Sequence, residues 1–237
     1  MNHLELFSGT HSFGKVSKKL GYNVISLDRD LDAECPLNSG YVSNHHIKED
    51  IMTWDYKKYD QNFFKIITAS PVCLWWSSLR NTWIGRKLKA HGNNIITREI
   101  IQEDINKYGK PMVDKIFEII EYFKPKYWII ENPKSSKMKY YIEEKYKKYN
   151  TYNDLSYCHF SDWGYKKNTR FWNNIEGLKN KECHKDCKNI IEINKHKRHK
   201  TDVSTDIGGG SNRLKRYRIP PKLIEELFKH TKDLENL

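Results

Sequence analysis

Three residues of the kinds that do chemistry fall at equivalent places along the chain. Asp28 closes "YNVISLD", Cys73 follows "IITASPV", and Glu131 follows "KYWII". Each stands at the end of a run of strand-forming residues. A thiol in such a turn is a nucleophile once ionised, and a carboxyl there can carry a proton. An acid about 20 residues after a glycine turn can bond ribose hydroxyls. The bland alternatives are a small buried hydrophobe for Cys73 and a helix cap for Asp28.

The elements that must position these groups alternate. "HLELF" (3–7) reads as a strand, "HSFGKVSKKL" (11–20) as a helix that Gly21 can cap, and "YNVISLD" (22–28) as a second strand. Further on come a strand over 63–70, a helix over 112–123 with apolar residues at helical spacing, and a strand over 126–130. Strand, helix, strand units predict an α/β fold, a Rossmann-like parallel sheet with helices on both faces. Open sheets of this kind bind ligands outside the carboxyl ends of their strands, where Asp28, Cys73 and Glu131 stand. Residues 1–174 are read as the catalytic and cofactor-binding domain and 175–212 as a small, irregular, polar and basic region. Residues 213–237 are read as a last helix, begun by Pro220 and Pro221, that packs back on the first part. The stretch 80–110 reads as a long loop with some helix, and long loops beside a site are often functional.

A net charge of +12 and a pI near 9.3 predict an attraction for polyanions, nucleic acid first among them. The alternative is a solvated lysine-rich surface. No run of about 18 apolar residues suggests a membrane span, and no export signal is evident. Five cysteines, an odd number, argue against a disulfide framework and for an intracellular, reducing compartment.

Gly9 lies between the first strand and the first helix, where a backbone without Cβ lets a ligand approach. Paired with Asp28 it suggests an adenosine-bearing cofactor, either a dinucleotide or S-adenosylmethionine. His11 occupies the place of the second glycine of a dinucleotide fingerprint, which argues against a pyrophosphate. Asp50, in "IKEDIMTWD", either receives an adenine amino group or is a solvated loop acid.

Taken in order, "LELFSGTHSFGKVSKKLGYNVISLDRD", "ASPVCLWWS", "WIIENP" and "YKKNTRFWNN" resemble the successive motifs of the DNA cytosine-5 methyltransferases, with "RYRIPPKLIEELF" similar to the final helix of their compact phage and viral forms. The resemblance implies transfer of a methyl group from S-adenosylmethionine to carbon 5 of cytosine in double-stranded DNA, with RNA as an alternative substrate. It implies cofactor contacts at Phe7, Ser8, Gly9, Asp28, Asp50, Ile51 and Pro71. It also implies that Cys73 adds to carbon 6 of the base, that Glu131 bonds or protonates ring nitrogen 3, and that Arg170 stands beside the pyrimidine carbonyl. Such a base must be flipped out of the duplex. Of Trp75 and Trp76, one is expected in the core. Arg80, Arg86, Lys87 and Lys89 would contact phosphates.

Two departures stand out. Val72 separates Pro71 from Cys73, where the family usually has proline directly before its cysteine, and His11 replaces a small residue near the cofactor's methionine part. They keep open a catalytically silent DNA-binding protein on the same fold, with a nicotinamide oxidoreductase a distant third. In the basic region, Lys195, Lys197, Arg198, Lys200, Arg213, Lys215, Arg216 and Arg218 would face DNA as a target-recognition element. Cys183, Cys187, His196 and His199, at spacings of three and two intervening residues, either close a zinc site or are exposed groups among basic residues.

Overall fold

The computed structural model describes residues 1–30, 44–201 and 215–231. One mixed sheet of seven strands runs in the order β3-β2-β1-β4-β5-β7-β6. Its members are β1 (Asn2–Leu6), β2 (Asn23–Leu27), β3 (His45–Ile47), β4 (Ile66–Ala69), β5 (Tyr127–Pro133), β6 (Tyr152–Ser156) and β7 (Asn168–Asn173). The β1–β5 pairings are parallel, and β7 runs antiparallel to both β5 and β6. Helices cover both faces, so the central strands are buried on both sides rather than alternating between buried and exposed residues. This is the anticipated Rossmann-like α/β arrangement.

On one face lie α2 (Arg98–Asp104), α3 (Lys110–Phe123) and α4 (Met138–Lys145). Their Ile101, Ile116, Phe117 and Ile142 form one core with Trp128, Ile130 and Trp172. On the other face α1 (Ser12–Lys19) meets α5 (Pro221–Lys229), and Phe13, Val16, Leu223 and Phe228 pack with Ile129 and Phe171. A separate hairpin, β8 (Ile190–Ile193) with β9 (His196–His199), occupies the basic region read as irregular.

Three sheet strands lie outside the strands read from the sequence. β3 has only three residues, and β6, "YNDLS", hides its register because the buried Asp154 interrupts its apolar side. The stretch 80–110 does hold a loop with some helix. Its helical end is continuous with α3 through a π-helical turn over Ile105–Gly109.

A buried carboxylate joins the first unit. Glu5 on β1 accepts the Gly14 N–H at 2.8 Å, the Ser26 hydroxyl at 2.9 Å and a contact from His11 Nδ1 at 3.3 Å. Burial pushes its pKa up, but His11, His3 and the Gly14 amide outweigh burial and hold it below the ordinary value. His11 itself takes a left-handed conformation at φ 51° at the start of α1.

His3, next along β1, is fully buried, with Nε2 2.8 Å from the Thr68 hydroxyl. Burial lowers its pKa from 6.5 to about 4, against the opposing pull of Glu5. A histidine whose folded pKa lies below its unfolded one supports the fold fully above pH 6.5. That support is lost as pH falls from 6.5 towards 4, in all about 3 kcal/mol. We predict that unfolding midpoints in urea fall steeply over this window. His3→Gln should flatten the slope, and an unchanged slope would show that His3 is not the group responsible.

Candidate functional site

Four strand ends build the carboxyl edge. After β1 the chain turns sharply, with Phe7 at φ 55° and Gly9 at φ 42°, both in the left-handed region. Gly9 meets this at no Cβ cost, whereas Phe7 holds it under strain of the kind that gathers at ligand sites. The Gly9 N–H donates to Asp28 Oδ2 at 2.9 Å, and Asp28 Oδ1 accepts the Asp30 N–H at 2.9 Å. The turn after β1 is thereby tied to the end of β2. Ser8 is buried with its hydroxyl unpartnered among the described groups. Asp50 bonds the Met52 N–H at 2.9 Å and faces Arg29 at 3.6 Å, with Ile51 buried beside it. A strained glycine turn, a carboxylate at the second strand end and an unused buried hydroxyl fit an adenosine-bearing ligand. His11 is turned inward onto Glu5 and edge-on to His46 at 5.0 Å, so it is part of the packing beneath this turn.

Cys73 begins a short 3-10 helix, Cys73–Trp76, after β4. Pro71 is buried, and its carbonyl accepts the Asn132 side-chain N–H at 2.9 Å, tying this turn to the end of β5. Val72 is 45% exposed, so this departure lies at the surface and the Pro71 carbonyl keeps its bond. The far end of the turn is seated by Trp76, which is buried and stacked on Tyr141 with ring centres 5.7 Å apart. Gly109 makes room for it: a Cβ there would lie 3.0 Å from the indole. Trp75 is only partly buried and stacks on Tyr108 at 4.7 Å. One tryptophan is core, as expected.

Glu131 is 7% exposed. Its Oε1 accepts the Tyr157 hydroxyl at 3.2 Å and lies 3.6 Å from Lys167 Nζ, which also donates to the Arg216 carbonyl at 3.1 Å. Burial pushes the Cys73 thiol above its ordinary pKa; Lys167 pulls it down, Glu131 pushes it up and Arg216 pulls it down. Cys73 and Glu131 thus stand at the carboxyl ends of the adjacent parallel strands β4 and β5, with Lys167 beside Glu131. Cysteine, carboxyl, phenol and ammonium together make a nucleophile with a proton-carrying partner and a cation to steady either charge.

Arg170 is elsewhere. In β7 the residue opposite Glu131 is Phe171, and Arg170 is opposite Asn132. Side chains alternate along a strand, so Arg170 leaves by the other face. There it makes two 2.8 Å bonds to Asp154 and lies 3.5 Å over the Tyr152 ring. Thr169, on Glu131's side, is buried next to the Tyr157 phenol. The cation beside Glu131 is Lys167, two residues before Thr169. Period-two counting back from Phe171 would have found it, had the register of β7 been legible.

The basic residues divide similarly. Arg80 is 1% exposed, ion-paired with Asp104 and held between Trp75 and Trp83 at 5.5 and 5.4 Å, so it is an internal brace and not a phosphate contact. Arg86, Lys87 and Lys89 are exposed, as are Lys195, Lys197, Arg198, Lys200 and Lys215. Arg216 and Arg218 are half-buried, the latter 3.7 Å over Trp163. Arg213 lies outside the described residues. The proposed metal set also changes membership. Cys183, Cys187 and His199 converge, but the fourth group is Cys158. His196 is exposed, because residues three apart on β9 face opposite sides.

The Arg170–Asp154 pair yields a prediction. Both are buried, and Arg170 outweighs burial to hold Asp154 below its usual range, with help from Lys134 at 3.2 Å. Arg170→Met should cost about 3 kcal/mol of stability, since a buried carboxylate loses its fork. At a temperature where the variant is folded, it should keep its catalytic rate. Lys167→Met, measured where it too is folded, should lower the rate. Equal rate loss in both folded proteins would return Arg170 to the site.

No family model matches the sequence. The chain is 35% identical over 236 residues to a protein of Frog virus 3 (isolate Goorha) named "Probable DNA (cytosine-5)-methyltransferase", covering 96% of this chain and 99% of that protein. Among solved structures it resembles the Dnmt2 methyltransferase of S. pombe, with TM-score 0.42, 16% identity, 72% of this chain and 47% of that one. A Dnmt2 variant of Spodoptera frugiperda gives TM-score 0.46 and 16% identity, over 77% and 55%. The chain thus spans about half the length of these solved neighbours.

Proposed function

From the premise that this chain belongs to the DNA cytosine-5 methyltransferases, we propose that it methylates cytosine in double-stranded DNA through a covalent adduct of Cys73. One observation carries this reading: Cys73 opens the turn after β4 while Glu131 stands near the end of the neighbouring parallel strand β5, with Lys167 3.6 Å from its carboxyl.

Carbon 5 of cytosine is a poor nucleophile until something adds across the ring. Addition of the Cys73 thiolate to carbon 6 forms a carbon–sulfur bond and pushes an electron pair towards ring nitrogen 3. Glu131 is the group to receive that demand, bonding or protonating nitrogen 3, and Tyr157 fixes which way its carboxyl faces. Lys167 holds charge on the Glu131 and Cys73 side of the pocket, in the place first given to Arg170. After carbon 5 gains its methyl group and loses its proton, the same electrons expel the thiolate and restore the ring.

S-adenosylmethionine supplies the methyl group when bound. Phe7, Ser8, Gly9 and Asp28 are the residues to hold it, with Asp50, Ile51 and Pro71 along the same edge; the Ser8 hydroxyl and Asp28 carboxylate are its polar anchors. Arg86, Lys87 and Lys89 on one loop, and Lys197 and Arg198 on the β8–β9 hairpin, supply exposed charge for a phosphate backbone. The target base is flipped to reach Cys73.

Because burial raises the thiol's pKa, the thiolate is scarce at neutral pH. Single-turnover methyl transfer from labelled S-adenosylmethionine should therefore climb with pH from about 7 to 9. Removing the cation with Lys167→Met should move that limb to higher pH. Cys73→Ala should abolish transfer yet still bind DNA in a salt-sensitive way. DNA carrying 5-fluorocytosine should be trapped covalently, since fluorine does not leave carbon 5 as a cation. Wild-type protein that binds cofactor and DNA but transfers nothing to DNA or RNA would overturn the catalytic reading in favour of a silent binder.

A further inference from the structure

Among its described residues, the basic region has very little core of its own. Its apolar cluster consists of Cys158, Cys183 and Cys187, with Ile190 packed alongside. These three sulfurs and His199 Nε2 all lie within 4.8 Å of one another. The His199 nitrogen is 3.5 Å from the Cys183 sulfur and 3.4 Å from that of Cys187. A tetrahedron built from zinc–sulfur bonds of about 2.3 Å and a zinc–nitrogen bond of about 2.0 Å has edges of about 3.5 to 3.8 Å. The two nitrogen–sulfur separations match the shorter edges of that shape, and the others lie within 4.8 Å.

The surroundings hold the four groups in place. The Cys183 N–H donates to the Ser156 hydroxyl at 2.9 Å, and Lys166 Nζ donates to the Cys183 carbonyl at 2.6 Å. Asn189 donates to the Cys158 and Ser161 carbonyls at 2.9 and 2.8 Å. Lys185, at φ 65°, turns the chain between the two cysteines. Three segments thus converge: the turn after β6, the loop before β8, and β9.

We propose that Cys158, Cys183, Cys187 and His199 bind one zinc ion as a closed structural site. Four protein ligands leave no open position, so the ion does no chemistry on a substrate. It clamps the hairpin bearing Lys197 and Arg198 to the end of β6. Cys158 directly follows Tyr157, whose hydroxyl bonds Glu131, so the clamp also steadies the turn that orients the carboxyl. In a stretch too polar for a core, metal binding supplies the folding energy. The inference stands apart from methyl transfer, because it rests on the donor set alone.

The test is the metal content of the purified full-length chain, produced with zinc available and without chelators, by plasma mass spectrometry. One zinc per chain is expected, with full retention in His196→Ala and content below one tenth in Cys183→Ser and Cys158→Ser. Cobalt in place of zinc should give the visible absorption of a tetrahedral thiolate site in wild type and His196→Ala alike. Should the cysteine variants fail to fold, the wild-type protein decides: a chelator should lower its melting midpoint, and added zinc should restore it. Folded wild-type protein without stoichiometric zinc, with iron in its place, or with a disulfide among these cysteines would overturn the proposal. So would loss of metal in His196→Ala.

Discussion

The antiparallel pairing of β7 with β5 is the constraint on which the site depends. It sets Phe171 opposite Glu131 and Arg170 opposite Asn132, and so decides which side chains share Glu131's face. A slip of one residue would exchange Arg170 for its neighbours and carry its charge into the pocket. The register is fixed from both sides. Phe171 joins the core beneath α1 and α5, and Trp172 joins the one beneath α3. Neither aromatic can move to the opposite face without emptying a core. The Arg170–Asp154 fork adds a directional lock between β7 and β6.

The same pairing explains how a cysteine in a turn is kept where a base can reach it. Asn132, on Arg170's side, spends its amide on the Pro71 carbonyl, while Glu131, on the other side, meets Tyr157 and Lys167. Two adjacent residues of one strand therefore do separate work: one ties down the nucleophile's loop, the other faces the chemistry. Trp76 seated against Gly109 fixes the loop's far end. Val72, between these anchors, is exposed, and the Pro71 contact beside it is intact.

What the sequence made legible follows from this division. Cys73, Glu131 and Asp28 could be found because each follows a strand whose apolar run is unmistakable, and open sheets gather ligands at those ends. The central strands and α1, α3 and α5 were readable for the same reason. β6 and β7 were not, because Asp154 and Arg170 are buried polar residues whose partners are each other, and a pair looks like two solvated residues until the strands are aligned. Arg80 misled similarly: in a basic stretch it reads as surface, whereas Asp104 and two indoles enclose it. Local charge counts carry no information about such long-range partners.

The cysteine cluster shows the limit of spacing arguments most directly. Cys183 and Cys187 announce themselves by proximity in sequence, and His196 and His199 look equivalent until they are placed on a strand, where they face opposite sides. The vacant place falls to Cys158, distant in sequence but adjacent in space because β6 ends beside the loop before β8, as the Leu155–Lys181 bridge and the Ser156–Cys183 bond record. That adjacency joins the two halves of the site. The residue before Cys158 orients Glu131, and the segment bonded to Cys158 carries the hairpin's basic surface. Order in the hairpin and order at the carboxyl therefore rest on one short turn, and whatever fixes Cys158 fixes both.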